Sequence, residues 1–340
     1  MPDARKPVRI AVDAMGGDHA PQEIVKGAVI GSHHDDVSVI LVGPVRTLAH
    51  ELAKHNTSGL PIRCVDADEV VAEGECPGHA LGQKRNSSIA VATELLKRNS
   101  ADALVSAGST GAVAVNAIRS LGLLPGIERP VICAPLVGFA PKTVIVDGGA
   151  NVDCKPHHML TFAVVGSVYV KKMLNIAAPR IALLSNGAEE QKGNTLIKEA
   201  YSMLRSSGLN FIGNIEGHDI LSGRANVIVC DGIVGNVLMK FYESLGQYIV
   251  AWVRGRISNL PLVGSVRRLL DQLYAFSRTT QDESDGGGLL WGVNGVVQIM
   301  HGSSQAQQLS KAIARARDAV STDMIGALKQ ELAAVLALRE

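Results

Sequence analysis

Glycine, hydroxyl and amide residues cluster in segments that follow short aliphatic runs of this sequence, and they suit the binding of a small anion. The clearest segment is Ser106 to Ala112, which has three hydroxyl side chains and two glycines before a helical pattern that continues to Arg119. Unpaired backbone N–H groups at a helix start, with hydroxyls beside them, can hold an anion without a fixed positive side chain. Inorganic phosphate would fit this segment. The alternative is a contact of small residues that lets a helix pack closely on a sheet.

Further segments of this kind carry charged and amide side chains. Residues 13–21 hold paired glycines and an acid, against which a phosphate or pantetheine group could lie, or which could form a plain strand-to-helix turn. Residues 147–156 and 185–194 each combine acidic, amide and amine side chains. Residues 230–236 place an Asp after an aliphatic run, and residues 295–304 read as a strand that leads through a His to a helix start with two hydroxyls. Charge-rich helix starts are usually solvated, so several such loops at one sheet edge are better evidence for a binding site than any single loop.

Alternating strands and helices would bring these segments together. The predicted buried strands are Val8 to Val12, Val37 to Val42, Ile62 to Val65, Ala103 to Ser106, Val131 to Val137, Thr143 to Val146, Ile181 to Leu184, Phe211 to Ile212, Val227 to Cys230 and Val296 to Met300. The amphipathic stretches between them include Pro21 to Ile30, Ser88 to Arg98, His158 to Met173 and Thr195 to Arg205. This order predicts a three-layer α/β/α fold with a mostly parallel sheet. Ligands of such sheets bind in loops at the carboxyl ends of the strands.

One segment departs from this alternation. Residues 236–256 read as a long helix, followed by a break at Pro261 and a second helix over residues 263–277. Two consecutive helices predict a protruding helical hairpin, about 236–278, inserted in a single domain over 1–340. A buried hairpin or a dimer interface is one reading, and contact with a membrane surface or an acidic partner is the other. The candidate contact residues are Arg254, Arg256, Leu260, Leu262, Val263, Arg267 and Arg268.

Composition excludes several classes of protein. The 340 residues are 46% apolar and 19% charged with a net charge of +1, which excludes general disorder and gives no overall electrostatic case for nucleic acid. The five cysteines are scattered and form no C-x-x-C pair, which favours a reducing compartment without a zinc ribbon or dithiol motif. No apolar run is long enough for a signal peptide or membrane span, so we expect a cytoplasmic protein. The motifs typical of nucleotide-binding loops, serine hydrolases and zinc proteases are absent from the sequence.

An ordered set of these segments resembles the bacterial phosphate acyltransferase family. The set comprises Ala14 to Pro21, Ser106 to Ala112, Asp147 to Asn151, Gly213 to Gly217, Asp231 to Asn236, Gly292 to Val297 and His301 to Ser304, in the family's order from Arg9 to about Ala319. Two departures are visible. Ser109 stands where Asn is common, and Gly288 to Trp291 replaces a usual Ala-Pro-Leu-Leu in a loop before the final strand.

The resemblance implies that inorganic phosphate attacks the thioester of acyl-acyl-carrier protein, giving an acyl phosphate and the free carrier thiol. It also implies a fold similar to isocitrate and isopropylmalate dehydrogenases, a homodimer, and no cofactor or metal. A membrane glycerol-3-phosphate acyltransferase would use the acyl phosphate, so we expect peripheral association with the inner face of the membrane.

The residue types, compared with this reaction, suggest roles for individual residues. Phosphate would be cradled by Ser106, Gly108, Ser109, Thr110 and Gly111, with Lys192 as the charge partner. Donors to the thioester oxygen would come from Asn151, Asn194, Asn236 or Asn294. Asp231 or His301 would handle protons, although a cap is the alternative for His301. Substrate would also meet the loop that contains Gly16, Gly17 and Asp18.

Two other functions remain open at this stage. A nicotinamide-dependent decarboxylating dehydrogenase of similar fold would need acidic metal ligands, for which Asp147, Asp219 and Asp231 are available. A non-catalytic membrane scaffold would use the hairpin and bind its partners without consuming thioester. The many Gly-rich polar loops weigh against the scaffold.

Overall fold

Strands and helices alternate along most of the chain, as predicted. The computed structural model describes residues 6–72, 74–75, 78, 82–136, 140, 142–257 and 287–337. The strands are β1 (Val8–Asp13), β2 (Val37–Val42), β3 (Ile62–Val65), β4 (Ala103–Ser106), β5 (Val131–Pro135), β6 (Val144–Val146), β7 (Ile181–Leu184), β8 (Phe211–Ile215), β9 (Val227–Val229), β10 (Gly288–Trp291) and β11 (Val296–Ile299). The helices are α1 (Gln22–Gly31), α2 (Val45–Leu52), α3 (Ser88–Lys97), α4 (Thr110–Leu121), α5 (Pro156–Met173), α6 (Thr195–Arg205), α7 (Gly232–Ile257), α8 (Ala306–Ser321) and α9 (Met324–Ala337).

The chain divides into two compact units. One comprises Met1–Pro130 with Asp285–Ala333, and the other Val131–Ser284 with Ala334–Glu340. No boundary inside the chain was predicted from the sequence, and assignment of both units to a single domain stays a prediction.

The first unit contains strands in the order β3-β2-β1-β4-β11-β10. Neighbouring strands are parallel, except that β10 runs antiparallel to β11. The last four residues of β1 are buried on both faces, as expected for a parallel strand covered by helices. A Cβ on Gly27 would lie 2.6 Å from the Ala306 carbonyl oxygen, so this glycine lets α1 pack closely against α8.

The second unit contains strands in the order β5-β6-β9-β7-β8. Strands β6, β9, β7 and β8 pair in parallel, and β5 pairs antiparallel with β6. Helix α5 packs on this sheet so closely that a Cβ on Gly166 would lie 2.4 Å from Val227 Cγ1. The prediction of a mostly parallel α/β architecture is therefore confirmed for each unit, and the likeness to dehydrogenases stays a prediction.

Some elements differ from the predictions. The segment Gly288–Trp291, expected to be a loop, is strand β10, because it pairs with β11 from Gly288 opposite Ile299 to Leu290 opposite Val297. Helices α2 and α9 were not predicted, whereas a helix start after Ser303 and Ser304 was predicted, and it is confirmed as α8, which begins at Ala306. The first hairpin helix is confirmed as α7 and begins four residues earlier than expected, at Gly232. The predicted second helix and tip lie outside the described residues.

Candidate functional site

In the first unit, the loops after three parallel strands meet at one edge. The loop after β1 contacts the loop after β11, where the Asp18 backbone N–H donates to the Gly302 carbonyl oxygen over 2.8 Å. The loop after β11 in turn contacts the end of β4, where the Met300 N–H donates to the Ser106 carbonyl oxygen over 2.9 Å. The carboxyl edge of this sheet thus carries a continuous cluster of loops, as the sequence predicted.

A buried carboxylate lies beneath these loops. Asp13, the last residue of β1, is 3% exposed, and its Oδ2 accepts the Ser106 hydroxyl over 2.7 Å. Its Oδ1 accepts the Met15 N–H over 3.3 Å. Burial raises the pKa of Asp13, and hydrogen bonds from the Ser88 and Ser106 hydroxyls and from the Met15 and Gly16 backbone oppose that rise. The Asp13 carboxyl group therefore joins the loop after β1, the end of β4 and the start of α3.

Glycines allow the first loop to lie against the second. A Cβ on Gly16 would lie 2.6 Å from Asp13 Oδ2 and 2.7 Å from the Gly108 nitrogen. Gly17 adopts φ +101°, a backbone conformation that favours glycine. Any larger residue at Gly16 would separate the loop after β1 from Gly108.

The start of α4 lies above this packed base. Ser109 is the N-cap residue, yet its hydroxyl makes no capping hydrogen bond, and Thr110 and Gly111 are exposed. A narrow recess between Ser109, Gly108, Ser88 and Val70 has room for about one water molecule. The recess itself is therefore too small to enclose an anion of phosphate size.

The predicted phosphate residues fall into two groups. Ser106 donates its hydroxyl proton to Asp13, and its Oγ accepts the Gly108 N–H over 3.0 Å. Ser106 and Gly108 thus form the base of the loop, and their direct contact with phosphate stays a prediction. Ser109, Thr110 and Gly111 form the upper part of the loop, which faces outward.

Other predicted residues of this unit are placed unequally. Gly16, Gly17 and Asp18 lie in the loop cluster, and His301 precedes Gly302 within it. Asn294 does not reach this cluster. It lies before β11, and its N–H donates to the Gly122 carbonyl oxygen at the opposite edge of the sheet.

The second unit has its own buried carboxylate, Asp147, directly after β6. Its Oδ1 accepts N–H groups of Ile132, Gly149 and Ala150 over 3.0–3.2 Å. Its Oδ2 accepts the Asn151 N–H over 2.7 Å and the Asn151 side-chain amide over 2.8 Å. Burial raises the pKa of Asp147, and these hydrogen bonds oppose the rise. Asn151, predicted to face substrate, thus holds the Asp147 loop together.

The start of α7 packs on that loop. A Cβ on Gly235 would lie 1.8 Å from the Asp147 carbonyl oxygen, so only glycine fits there. Asp231 caps the helix by accepting the Val234 N–H over 2.9 Å. The exposed Asn236 lies beside Gly149, whose added Cβ would be 3.2 Å from Asn236 Cβ. The structure therefore brings together Asp231, Asn236 and Asn151 at one edge of the second sheet.

The loop after β7 carries the predicted amine. Lys192 is exposed, and within the described residues no carboxylate forms an ion pair with it. Asn194 caps α6 by accepting the Ile197 N–H over 3.0 Å. The buried Asn214, which the sequence analysis did not select, supports this loop by donating to the Glu189 carbonyl oxygen over 2.8 Å. No local motif marks Asn214, since its partner is 25 residues away in sequence.

Helix α7 presents a long apolar face. Val237, Phe241, Tyr248 and Trp252 are each between 61% and 75% exposed. Arg254 and Arg256 belong to the last turns of this helix. The other predicted contact residues, Leu260, Leu262, Val263, Arg267 and Arg268, lie outside the described residues. In the part of the chain that the structure describes, no helix is both long and apolar enough to cross a bilayer.

Comparison with known proteins places these features in a family context. The model of a family described as "Fatty acid synthesis protein" matches residues 8–327. A phosphate acyltransferase from Pelotomaculum thermopropionicum is 43% identical over 330 residues, covering 96% of each chain. A phosphate acyltransferase from Thermosynechococcus vestitus is 44% identical over 342 residues, covering 96% of this chain and 97% of the relative. A phosphotransacetylase structure from Streptococcus pyogenes has a TM-score of 0.66 at 17% identity, covering 93% of this chain and 94% of that one, which is a likeness of fold.

Proposed function

The chain belongs to the fatty acid synthesis protein family, among the phosphate acyltransferases, and on this premise we propose that it transfers a fatty acyl group from acyl carrier protein to inorganic phosphate. It is an acyltransferase, and phosphate takes part in the transfer. The proposed products are an acyl phosphate and the free thiol of the carrier.

The chemistry needs positioning more than a nucleophilic side chain. A phosphate oxygen attacks the thioester carbon, a C–O bond forms, and the C–S bond breaks as the thiolate takes up a proton. The enzyme must hold a phosphate oxygen over the face of the thioester carbonyl and stabilise the negative charge that develops on the carbonyl oxygen. The observation that best supports this proposal is the start of α4, where Ser109 caps without a side-chain hydrogen bond above a base fixed by Asp13. Backbone N–H groups at such a helix start favour an anion.

Other residues would supply positive charge, hydrogen bonds to the thioester oxygen and proton transfer. Lys192 would supply positive charge, and its exposed amine supports that role. Asn194 and Asn236, both exposed, would donate to the thioester oxygen. Asp231 or His301 would handle the proton.

Phosphate dependence tests the proposal directly. The purified protein is given a defined acyl-acyl-carrier protein, and free carrier thiol is measured with and without inorganic phosphate. We expect thiol release to require phosphate and to need neither a nicotinamide cofactor nor a divalent metal. Equal release without phosphate, or a requirement for nicotinamide, would refute the proposal.

The acyl phosphate would pass to a membrane glycerol-3-phosphate acyltransferase in phospholipid synthesis. We propose that the protein associates reversibly with the inner membrane surface through the hairpin. We also propose that it is a homodimer. The exposed apolar side chains of α7 support burial of that helix against another surface, because such a large apolar patch is unusual on a monomer. Light scattering and liposome flotation would test the two parts separately.

The decarboxylating dehydrogenase is less well supported. Its candidate metal ligands are already engaged, since Asp147 accepts five hydrogen bonds. Asp219 pairs with Arg224 over 3.0 Å, and Asp231 caps α7.

A further inference from the structure

The carboxylate of Asp13 lies beneath residues 106–111, the loop proposed above to bind phosphate, and can set the shape of that loop. It occupies the end of β1 and is 93 residues from Ser106 in sequence, yet the two side chains share a 2.7 Å hydrogen bond. Ser88, at the first turn of α3, is 2% exposed, and its hydroxyl lies close enough to the Asp13 carboxyl to lower the pKa of that group. Three separate segments of the first unit therefore converge on this single side chain.

The hydrogen bonds continue from Asp13 into the backbone of the loop. The Ser106 hydroxyl donates to Asp13, and the Ser106 oxygen accepts the Gly108 N–H over 3.0 Å. An acceptor at Asp13 fixes the direction of the Ser106 hydroxyl and leaves its lone pairs for Gly108. Gly108 directly precedes Ser109, so this chain of bonds sets how the first N–H groups of α4 are aimed.

The shape of the site leaves Asp13 no contact with an anion of phosphate size. The carboxylate is 3% exposed beneath Gly16 and Gly108, and the recess beside it has room for about one water molecule. Its hydrogen bonds can therefore reach a bound anion only through the loop.

We propose that Asp13 is a positioning residue for inorganic phosphate, which it aligns through Ser106 and Gly108 without touching it. The inference rests on the proposed phosphate-dependent acyl transfer. It assigns Asp13 to phosphate binding and not to the acyl carrier.

Asp13→Asn tests this with little change in volume. The amide accepts hydrogen bonds only through its oxygen, so the variant cannot keep both the bond from the Ser106 hydroxyl to Oδ2 and the bond from the Met15 N–H to Oδ1. We expect the KM for phosphate to rise roughly 10-fold to 100-fold, the range for loss of one hydrogen bond to a charged group. Turnover at saturating phosphate and the KM for acyl-acyl-carrier protein should stay within about 2-fold of the unmodified protein.

Asp102→Asn is the matched control. Asp102 immediately precedes β4, the strand that ends at Ser106. Its carboxylate also links that strand to β1, because it accepts hydrogen bonds from the Arg9 backbone N–H over 2.8 Å and from Arg9 Nη2 over 2.7 Å. The same carboxylate-to-amide change at the opposite edge should lower stability without changing the KM for phosphate. An equal rise in this KM for Asp102→Asn would show a general structural effect and overturn the proposal.

A double-mutant cycle with Ser106→Ala separates positioning from direct contact. If Asp13 acts through Ser106, the double variant should raise the KM for phosphate no more than the larger single change. Additive effects would overturn the proposal, as would an unchanged KM in Asp13→Asn. If Asp13→Asn does not fold, Ser106→Ala alone decides, and an unchanged KM for phosphate overturns the proposal. Thiol release that is independent of phosphate in the unmodified protein would instead refute the proposed function, and the inference with it.

Discussion

Replacement of Gly16 by Ala tests whether contact between the loop after β1 and the loop after β4 creates the proposed phosphate site. The added Cβ would lie 2.6 Å from Asp13 Oδ2, 2.7 Å from the Gly108 nitrogen and 3.0 Å from Gly108 Cα. Ordinary contact begins near 3.4 Å and the Gly108 nitrogen would be at 2.7 Å, so the two loops must move apart by about 0.7 Å. Two of the three blocking atoms belong to backbone, which cannot rotate away as a side chain can. We expect the free energy of unfolding to fall by about 1–3 kcal/mol.

The activity should fall more than this stability loss alone would produce. A displacement near 1 Å at a reacting group can cost roughly 100-fold in rate. We therefore expect phosphate-dependent thiol release by Gly16→Ala to drop by about that factor at a temperature where the variant is fully folded. Circular dichroism gives the folded fraction, and steady-state kinetics give the rate.

Gly217→Ala is the matched control for this change. No atom lies within 4 Å of a Cβ built at Gly217, so the same added methyl group should leave activity unchanged. A Gly16→Ala protein with normal turnover and a normal KM for phosphate would refute the reasoning, because the loops would then tolerate separation without loss of the site.

Three further predictions concern other parts of the chain. If the Lys192 amine stabilises charge at the reacting centre, Lys192→Ala should lower phosphate-dependent acyl transfer by about 100-fold to 1,000-fold. Lys198 is an exposed lysine on α6, and Lys198→Ala should leave this rate unchanged. Near-normal rates in Lys192→Ala would remove Lys192 from the site. The double variant Leu260→Asp, Leu262→Asp should lose binding to anionic liposomes in a flotation assay, and unchanged binding would rule the predicted tip out. Burial raises the pKa of Cys154 to about 11, so its thiol stays protonated below that pH. At pH 8 its thiolate fraction is roughly 100-fold below that of an ordinary cysteine. Alkylation followed by mass spectrometry should show correspondingly slow labelling, and labelling at the rate of a free thiol would contradict the assignment.

Much of the sheet could be predicted from the sequence because its strands are buried on both faces. Continuous aliphatic runs such as β1 and β2 need no tertiary information to be recognised. Strand β10 was missed because the four residues Gly288–Trp291 form a strand only by pairing with β11, which a local pattern does not show. For helix α8 only the start was predicted, because polar or charged residues make up half of its 16 positions, although its buried face packs against α1.

The candidate site was predicted only in part, for a related reason. Loops rich in glycine and hydroxyl groups are visible in the sequence, so Ser109 and Thr110 could be selected. The carboxylates that hold such loops are not visible, because Asp13 reads as the polar end of a strand and its partner Ser106 is 93 residues away. Asn151 was selected as a donor to substrate, yet its side-chain amide donates to Asp147, a role that residue type alone does not reveal.

The cysteines of the described residues bear on how the acyl group is transferred. Cys64, Cys133, Cys154 and Cys230 are free thiols, and burial raises the pKa of each of them. The carboxylates of Asp147 and Asp231 raise the pKa of Cys230 further, so its thiolate is disfavoured by charge as well as by burial. A thiol that stays protonated near neutral pH is a poor nucleophile towards a thioester. Among these four residues, then, none is prepared to carry an acyl group, which supports direct attack by phosphate. Phosphate is already a nucleophile at this pH, so under the proposed function a fixed loop at the proposed phosphate site would contribute more than an activated side chain.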